Sequence, residues 1–475
     1  MIFFLKWLLG PLTALILWIC PLELNPQAHA LAGLMVWIVL WWIFEPIPLA
    51  MTALFGAAMS VIIGVTSVKS AMAPFAHPLI FLFFGGYIIA RSMAVHELDK
   101  RIALGILTQP FVAGKPMRTV ISLLCICAFL SMWISNTATT AMLLPISLGV
   151  LGALLPKDPK GKGTALLAVA YSSSIGGTAT SVGSTPNIIA LGMLDELAGI
   201  SFSFIEWMIY ITPVSFVCLL FLIFLTNKRL PKLAQSSKEN QRFLKDQFKS
   251  LGKMKTGEKN TLIAALCAVF LWVTPGVISL FLGKKHFICV WLKSHLPEPV
   301  GAIIAASLLF MLRLDDKKPT LTWKQAMHID WGSLLLFGGG LSLGAQMFDT
   351  GLAQLLGQTL IDATGGSFWL FTFLSVLFAI FFTETTSNTA TANMLIPLVI
   401  AAALDTGFSP VIPTIGVALA CSLAFMLPVS TPPNAIVYGS GYIKIAQMIR
   451  NGITLNIACA IIVMGFLVIL NQIIV

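Results

Sequence analysis

Two stretches of the chain repeat almost the same polar phrase, SNTATTAMLLP at 135–145 and SNTATANMLIP at 387–397, 252 positions apart (387 − 135). Hydroxyls and carboxamides at this density can coordinate a small hard cation or hydrogen-bond an anion. They make a poor enzyme, because asparagine and threonine without a neighbouring histidine, aspartate or lysine lack the base that activates a nucleophile. Two further phrases carry the same chemistry, STPN at 184–187 and STPPN at 430–434. There proline interrupts a helix, and Ser, Thr and Asn supply oxygens and amides at the gap. The carbonyls that end one helix suit a cation, and the N–H groups and positive dipole end that begin the next suit an anion. The plainer alternative is that Ser-Asn-Thr merely caps two buried helices. It accounts for one such phrase, not for two that are each followed by a Ser-Thr-Pro break.

The elements that hold these residues must cross a membrane. Hydrophobic residues make up 57% of the chain and charged residues 10%, with a mean hydropathy of +0.92, far from soluble globular composition. A span needs roughly 20 mostly apolar residues. Segments 4–20, 30–44, 47–66, 77–95, 207–226, 261–282, 299–312, 331–347 and 452–474 qualify as candidates. No A-x-A-like cleavage site follows the first, which is read as a retained helix. In hydrocarbon the polar phrases would cost several kcal/mol per unpaired group, so each must line a polar cavity.

The net charge of +10 sits in loops, most densely between Lys228 and Asn260, and is a topology signal rather than a nucleic-acid surface. It places that loop and the N-terminus in the cytoplasm, with 91–104, 156–163 and 313–319. The basic segment 284–295 falls outside by parity, which an interfacial helix or a re-entrant turn would explain. Eight scattered cysteines with no C-x-x-C pair read as buried hydrophobes, and six histidines form no metal cluster.

The repetition extends past the phrases. FLFFGGYIIARSM (81–93) pairs with LLLFGGGLSLGAQM (334–347), and SVGSTPNIIALG (181–192) with LPVSTPPNAIVYGSG (427–441). Matched landmarks in one order mean two homologous halves, roughly 30–226 and 261–475, the usual sign of a secondary transporter whose site lies where the repeats meet. If 119–133 and 140–155 dip in from the cytoplasm, and 368–383 and 390–404 from outside, the two hairpins face each other.

With SNT twice, the STPN and STPPN breaks, FEPIPLAMTAL (44–54), FAHPLIFLFFGG (75–86) and CSLAFMLPVSTPPNAIV (421–437), the chain resembles the divalent anion/sodium symporter family of dicarboxylate, citrate and sulfate carriers. The resemblance spans essentially the whole length. It implies an all-α polytopic fold with about 11 spans and two re-entrant hairpins in inverted repeats. Ser135, Asn136, Thr137, Ser387, Asn388 and Thr389 would contact substrate carboxylates, helped by Ser184, Thr431 and Pro432. One sodium site would use Ser131, Ser135, Asn136 and Gly183, and a second Thr383, Thr386, Asn388 and Ser430. Scaffold helices would occupy 1–118 and 261–350. The transport unit would comprise 119–227 (inward hairpin, broken helix, following helix) and 351–475 (outward hairpin, broken helix, last helix), with 228–260 as the basic cytoplasmic loop. The family also implies a homodimer in the bacterial inner membrane and an elevator-like movement.

No lysine, arginine or histidine lies in 119–155, 164–192, 368–404 or 411–441, so co-bound sodium ions would compensate a dianion. This favours sodium symport of a C4-dicarboxylate such as succinate, malate or fumarate. The alternatives are a sodium-independent dicarboxylate, citrate or tartrate exchanger, a sulfate carrier and, more distantly, an anion channel. Glu384, beside a proposed ligand, would either tune the sodium site or anchor the hairpin, with the anchor preferred. Glu45 and His77, beside prolines at span ends, read as interfacial anchors.

Overall fold

The computed structural model describes residues 2–112, 115–231, 233, 238–283 and 285–474. Among them every regular element is a helix, apart from one isolated bridge between Arg313 and Pro319. The first half runs through α1 (Ile2–Ile19), α2 (Pro26–Phe44), α3 (Leu49–Ile62), the short α4 (Val68–Met72) and α5 (Pro78–Val95). Amphipathic α6 (Leu98–Leu107) leads to α7 (Pro116–Ser131) and α8 (Asn136–Leu154), then α9 (Pro159–Gly177), α10 (Thr185–Ala198) and α11 (Phe204–Arg229). The second half holds α12 (Lys238–Ser250), α13 (Thr256–Leu282), α14 (Phe287–His295), α15 (Glu298–Met311), α16 (Trp323–Ala326), α17 (Trp331–Asp349) and α18 (Leu352–Asp362). It closes with α19 (Phe368–Thr383), α20 (Asn388–Asp405), α21 (Val411–Cys421), α22 (Pro432–Tyr438) and α23 (Ile445–Ile474).

The repeat is visible in this order. In each half two antiparallel helices meet at the SNT phrase (α7/α8, α19/α20) and a helix then breaks at a Ser-Thr-Pro (α9/α10, α21/α22). Asn136 and Asn388 are the first helical residues of the returning arms, so the phrase itself makes the turn. Among the described residues seven helices are long and apolar enough to cross a membrane, and an eighth if α14 and α15, bent by 58°, form one span; length alone therefore does not fix the expected eleven. Burial separates their environments. The α20 window is 72% buried inside the protein and the α13 window 17%, so α20 is enclosed by protein while α13 presents its surface outward.

Without a hydrophobic drive between spans, close approach of small residues holds the helices together. A Cβ on Gly85 would lie 2.7 Å from Ala302 backbone atoms, and one on Gly176 2.2 Å from the Ala128 carbonyl oxygen. The second contact seats the first hairpin against α9.

The expected loop between Lys228 and Asn260 is largely helical, a correction to the sequence reading. α12 lays Phe243 against Gly149, Phe248 near Gly105 and buries Leu244. Arg101 fixes the following turn. Its guanidinium donates to Glu258 Oε1 and Oε2 at 2.6 and 3.1 Å and to the carbonyls of Leu251 and Gly252.

Candidate substrate and cation site

At the first hairpin tip Ser131 Oγ donates to Asn136 Oδ1 at 2.5 Å, and Ser135 Oγ caps α8 by accepting from the Ala138 N–H. The break between α9 and α10 folds against this tip. Thr180 Oγ1 donates to the Met132 carbonyl at 2.5 Å and accepts from the Gly183 N–H at 3.1 Å. Only glycine fits at 177 and 183: a Cβ on Gly177 would meet Asn136 Oδ1 at 2.3 Å, and one on Gly183 the Gly177 carbonyl at 2.5 Å. Oxygens of Ser131, Asn136, Gly177 and Gly183 therefore crowd one small volume.

The second tip repeats the arrangement. Thr383 Oγ1 lies 2.7 Å from Asn388 Oδ1 and 2.9 Å from the Cys421 carbonyl, the counterpart of the Ser131–Asn136 pair. Thr386 turns its hydroxyl to Thr391 Oγ1 and the Phe382 carbonyl, and Ser430 turns its own to Glu384 and the Leu427 carbonyl. The two breaks touch through the Ser184 and Ser422 hydroxyls, 2.8 Å apart.

The asparagine of each Ser-Thr-Pro phrase holds its break together. Asn187 Nδ2 donates to the carbonyls of Gly177, Thr178 and Thr180 at 2.8–3.2 Å, and Asn434 Nδ2 to those of Ala424 and Leu427 at 3.0 and 3.1 Å. Each of these buried side chains leaves its Oδ1 without a hydrogen-bond partner. The carbonyls around each Nδ2 settle which way the amide points, since the flipped form would set oxygen against oxygen.

Glu384 resolves the choice between tuner and anchor toward the anchor. Only 2% exposed, its carboxylate accepts from the N–H groups of Phe425, Met426 and Leu427, from Ser430 Oγ and from Asn456 Nδ2, at 2.6–3.2 Å. It thus ties the second tip to the second break and to α23. Tyr171 of α9 adds a bond from its phenol to the Phe425 carbonyl at 2.7 Å.

Tips and breaks surround a cavity of about 1010 Å³. All nine residues expected to touch substrate line it (Ser135, Asn136, Thr137, Ser184, Ser387, Asn388, Thr389, Thr431 and Pro432), as do Gly183, Thr386 and Ser430. Ser131 and Thr383 stand behind the tips, fully buried. The N-termini of α8, α10, α20 and α22 all open here, and those of α10 and α20 have no side-chain cap. The N–H groups and dipoles of α8, α10 and α20 attract an anion while the oxygen clusters behind accept cations; α22 opens with Pro432 and Pro433, which carry no N–H.

Sequence reasoning missed the other wall. Lys6, Glu45, Tyr87, Asp330 and Ser333 also line the cavity. The breaks themselves carry no cationic side chain, but the cavity as a whole does, a correction to the expectation of none. A lysine inside an apolar span was the available signal. Glu45, expected as an interfacial anchor, caps α2 with a left-handed backbone (φ 46°), a conformation uncommon outside glycine that gathers at functional sites.

Residues 4–475 match the family described as "Sodium:sulfate symporter transmembrane region". The chain belongs to this family. An uncharacterized transporter of Haemophilus influenzae is 36% identical over 461 residues, covering 94% of this chain and 93% of that one. The sodium-dependent dicarboxylate transporter SdcS of Staphylococcus saprophyticus is 32% identical over 472 residues, covering 96% and 89%. Among solved structures, the Alcanivorax borkumensis YdaH transporter aligns with a TM-score of 0.59 at 14% identity, over 98% of this chain and 96% of its own. MtrF of Neisseria gonorrhoeae aligns with 0.57 at 13%, over 96% of each. At these identities the structural likeness concerns the fold alone. The protein is a multi-pass membrane transporter and not an enzyme.

Proposed function

We propose that this transporter carries a C4-dicarboxylate, with succinate, malate and fumarate as the candidates, together with sodium ions. The observation that carries the reading is the meeting of the N-termini of α8, α10 and α20 and two mirrored oxygen clusters on one cavity. The carboxylates of the substrate would lie against the hydroxyls and amides of 135–137 and 387–389, one at each tip. Sodium would sit behind them, at Ser131, Ser135, Asn136 and Gly183 and at Thr383, Thr386, Asn388 and Ser430. Hard cations take oxygen ligands, and the donor sets contain nothing else. Each charge carried through 100 mV is worth about 2.3 kcal/mol, so uptake with more sodium charge than substrate charge is electrogenic.

In the same reading the N-terminus is cytoplasmic, the cavity opens inward because Lys6, Glu45 and Asp330 stand at cytoplasmic ends, and two copies sit side by side in the inner membrane. Hairpins and broken helices move together past α1–α5, α13, α15 and α17. Lys6 favours the second reading, exchange without sodium, since a fixed cation can replace a bound one. Uptake of radiolabelled succinate into liposomes of the purified protein separates the two. Accumulation driven by an inward sodium gradient, and not by potassium or by preloaded succinate, supports symport; uptake that needs preloading and ignores sodium makes the protein an exchanger.

A further inference from the structure

Arg229 ends α11 and is half-buried, although a charge that only signals topology can stay in the open loop. Its guanidinium donates to Asn451 Oδ1 and, at 2.8 Å, to Thr454 Oγ1, both on α23. It stands at a groove where α9, α11 and α23 meet, lined also by Thr164, Leu167, Tyr171, Leu225 and Asn451. The ionisable groups that bear on it are Arg450 and the Tyr171 phenol. Neither is a carboxylate.

Its basic neighbours are no better compensated. Lys228 precedes it and is exposed, as is Arg450 beside Asn451. Gln447 of α23 donates to the Lys160 carbonyl at 2.9 Å and to Thr164 Oγ1 at 3.1 Å, which brings the first turn of α9, with Lys160 and Lys162, to the same rim. Among the described residues none of these arginines and lysines is ion-paired. Asp158, close to them in sequence, is engaged in capping α9, where its Oδ1 accepts the Gly161 N–H at 3.0 Å. Like charges gathered in this way repel one another, so the compensating anion comes from outside the chain.

The donors and their surroundings say which anion. A guanidinium offers more N–H groups than the two bonds to α23 use, and the rest, with those of Arg450, match phosphate oxygens. From the level of Arg450, Ile453, Ile457 and Ile461 follow one another along α23, one per turn and exposed, and Phe224 and Val217 are exposed on α11. An acyl chain finds apolar surface there beside the cationic rim; a free phosphate would not use it.

We propose that the adjoining ends of α11 and α23 bind an anionic phospholipid, its phosphate held by Arg229 and Arg450 and its chains lying along the isoleucines of α23. On the topology given above the site lies in the cytoplasmic leaflet, and Lys160 and Lys162 add to its field. The inference does not depend on which anion is transported.

The purified protein, stripped of lipid in a neutral detergent, is offered phosphatidylglycerol or phosphatidylcholine, and bound lipid is counted by native mass spectrometry. Phosphatidylglycerol should bind at least about fivefold more tightly, the size of one basic residue's attraction at a membrane surface. Arg450→Gln should weaken it by about the same factor. Arg229→Gln/Arg450→Gln should bring it to the phosphatidylcholine level. Lys245→Gln/Lys249→Gln removes as many exposed charges from α12 and should leave binding unchanged. Because Arg229 also fastens α11 to α23, its variant can fail to fold; Arg450, whose side chain makes no hydrogen bond among the described residues, then decides. Equal retention of the two lipids, unchanged phosphatidylglycerol binding in Arg450→Gln, or an equal loss in the α12 pair overturns the site. Inorganic phosphate separates the two sources of the anion. Phosphatidylglycerol that stays bound in about a hundredfold excess of phosphate supports a lipid site, and its displacement would mean a site for free phosphate instead.

Discussion

At the scale of single residues, the site separates side chains that face the cavity from side chains that shape it. Asn136 and Asn388 do both, each paired through Oδ1 with a buried hydroxyl at Ser131 or Thr383 and each lining the cavity. Asn136→Ala and Asn388→Ala should each abolish uptake while leaving the amount of protein in the membrane unchanged; normal transport by either would remove the assigned site. Glu384 only shapes. Glu384→Gln sets an amide NH₂ among N–H donors that a carboxylate now satisfies and should destabilise the fold by about 3 kcal/mol, seen as a lower unfolding temperature in detergent. An unchanged midpoint would mean that the second break does not depend on this carboxylate. Glu384 was legible as significant because a carboxylate in an apolar run is costly. Its partners were not, since Phe425, Met426 and Leu427 use backbone N–H groups that carry no sequence mark.

At the scale of elements, glycine contacts decide where the hairpins sit. Gly176→Ala forces a Cβ into the Ala128 carbonyl, a backbone group that cannot rotate aside, so the first hairpin must lift off α9. Gly152→Ala meets nothing within 4 Å in α8 and should be neutral or gain up to about 1 kcal/mol from helix propensity. Measured side by side, the first should lose transport and thermal stability and the second should not; equal behaviour would show that hairpin seating tolerates the added methyl. The spans and hairpin arms were readable from runs of apolar residues, and their observed ends differ by a few residues. α12 was not read as a helix, because a window over KENQRFLKDQFKS registers charge. Phe243, Leu244 and Phe248 nonetheless carry a helical spacing, and they pack against α8 and α6 only once those helices are in place.

At the scale of the whole molecule, the inverted halves set the prediction of sidedness. A cysteine at position 240, in the basic connection between the halves, should react with an impermeant reagent only from the cytoplasm; reaction from outside would reverse the proposed topology. The same inversion makes one site from two half-sites. Ser184 reaches Ser422 across the repeat, and Tyr171 reaches Phe425, so a change in one break is felt in the other. Sodium should therefore protect both hairpin turns together: cysteines at Thr137 and Thr389 should both label more slowly in sodium than in potassium, and protection confined to one tip would indicate independent half-sites.

The sequence by itself determined that the chain crosses a membrane, that it is an internal repeat, and which oxygen-bearing phrases interrupt its helices. Those conclusions follow from local costs, since an unpaired polar group in hydrocarbon is penalised wherever it occurs and must have a purpose. Only the tertiary structure decided that Lys6, Glu45, Tyr87 and Asp330 complete the cavity wall, that Glu384 anchors the second break to α23, and that Asn187 and Asn434 hold the breaks together. Each of these depends on which helix faces lie together, and that is settled by close packing of small residues across the whole bundle.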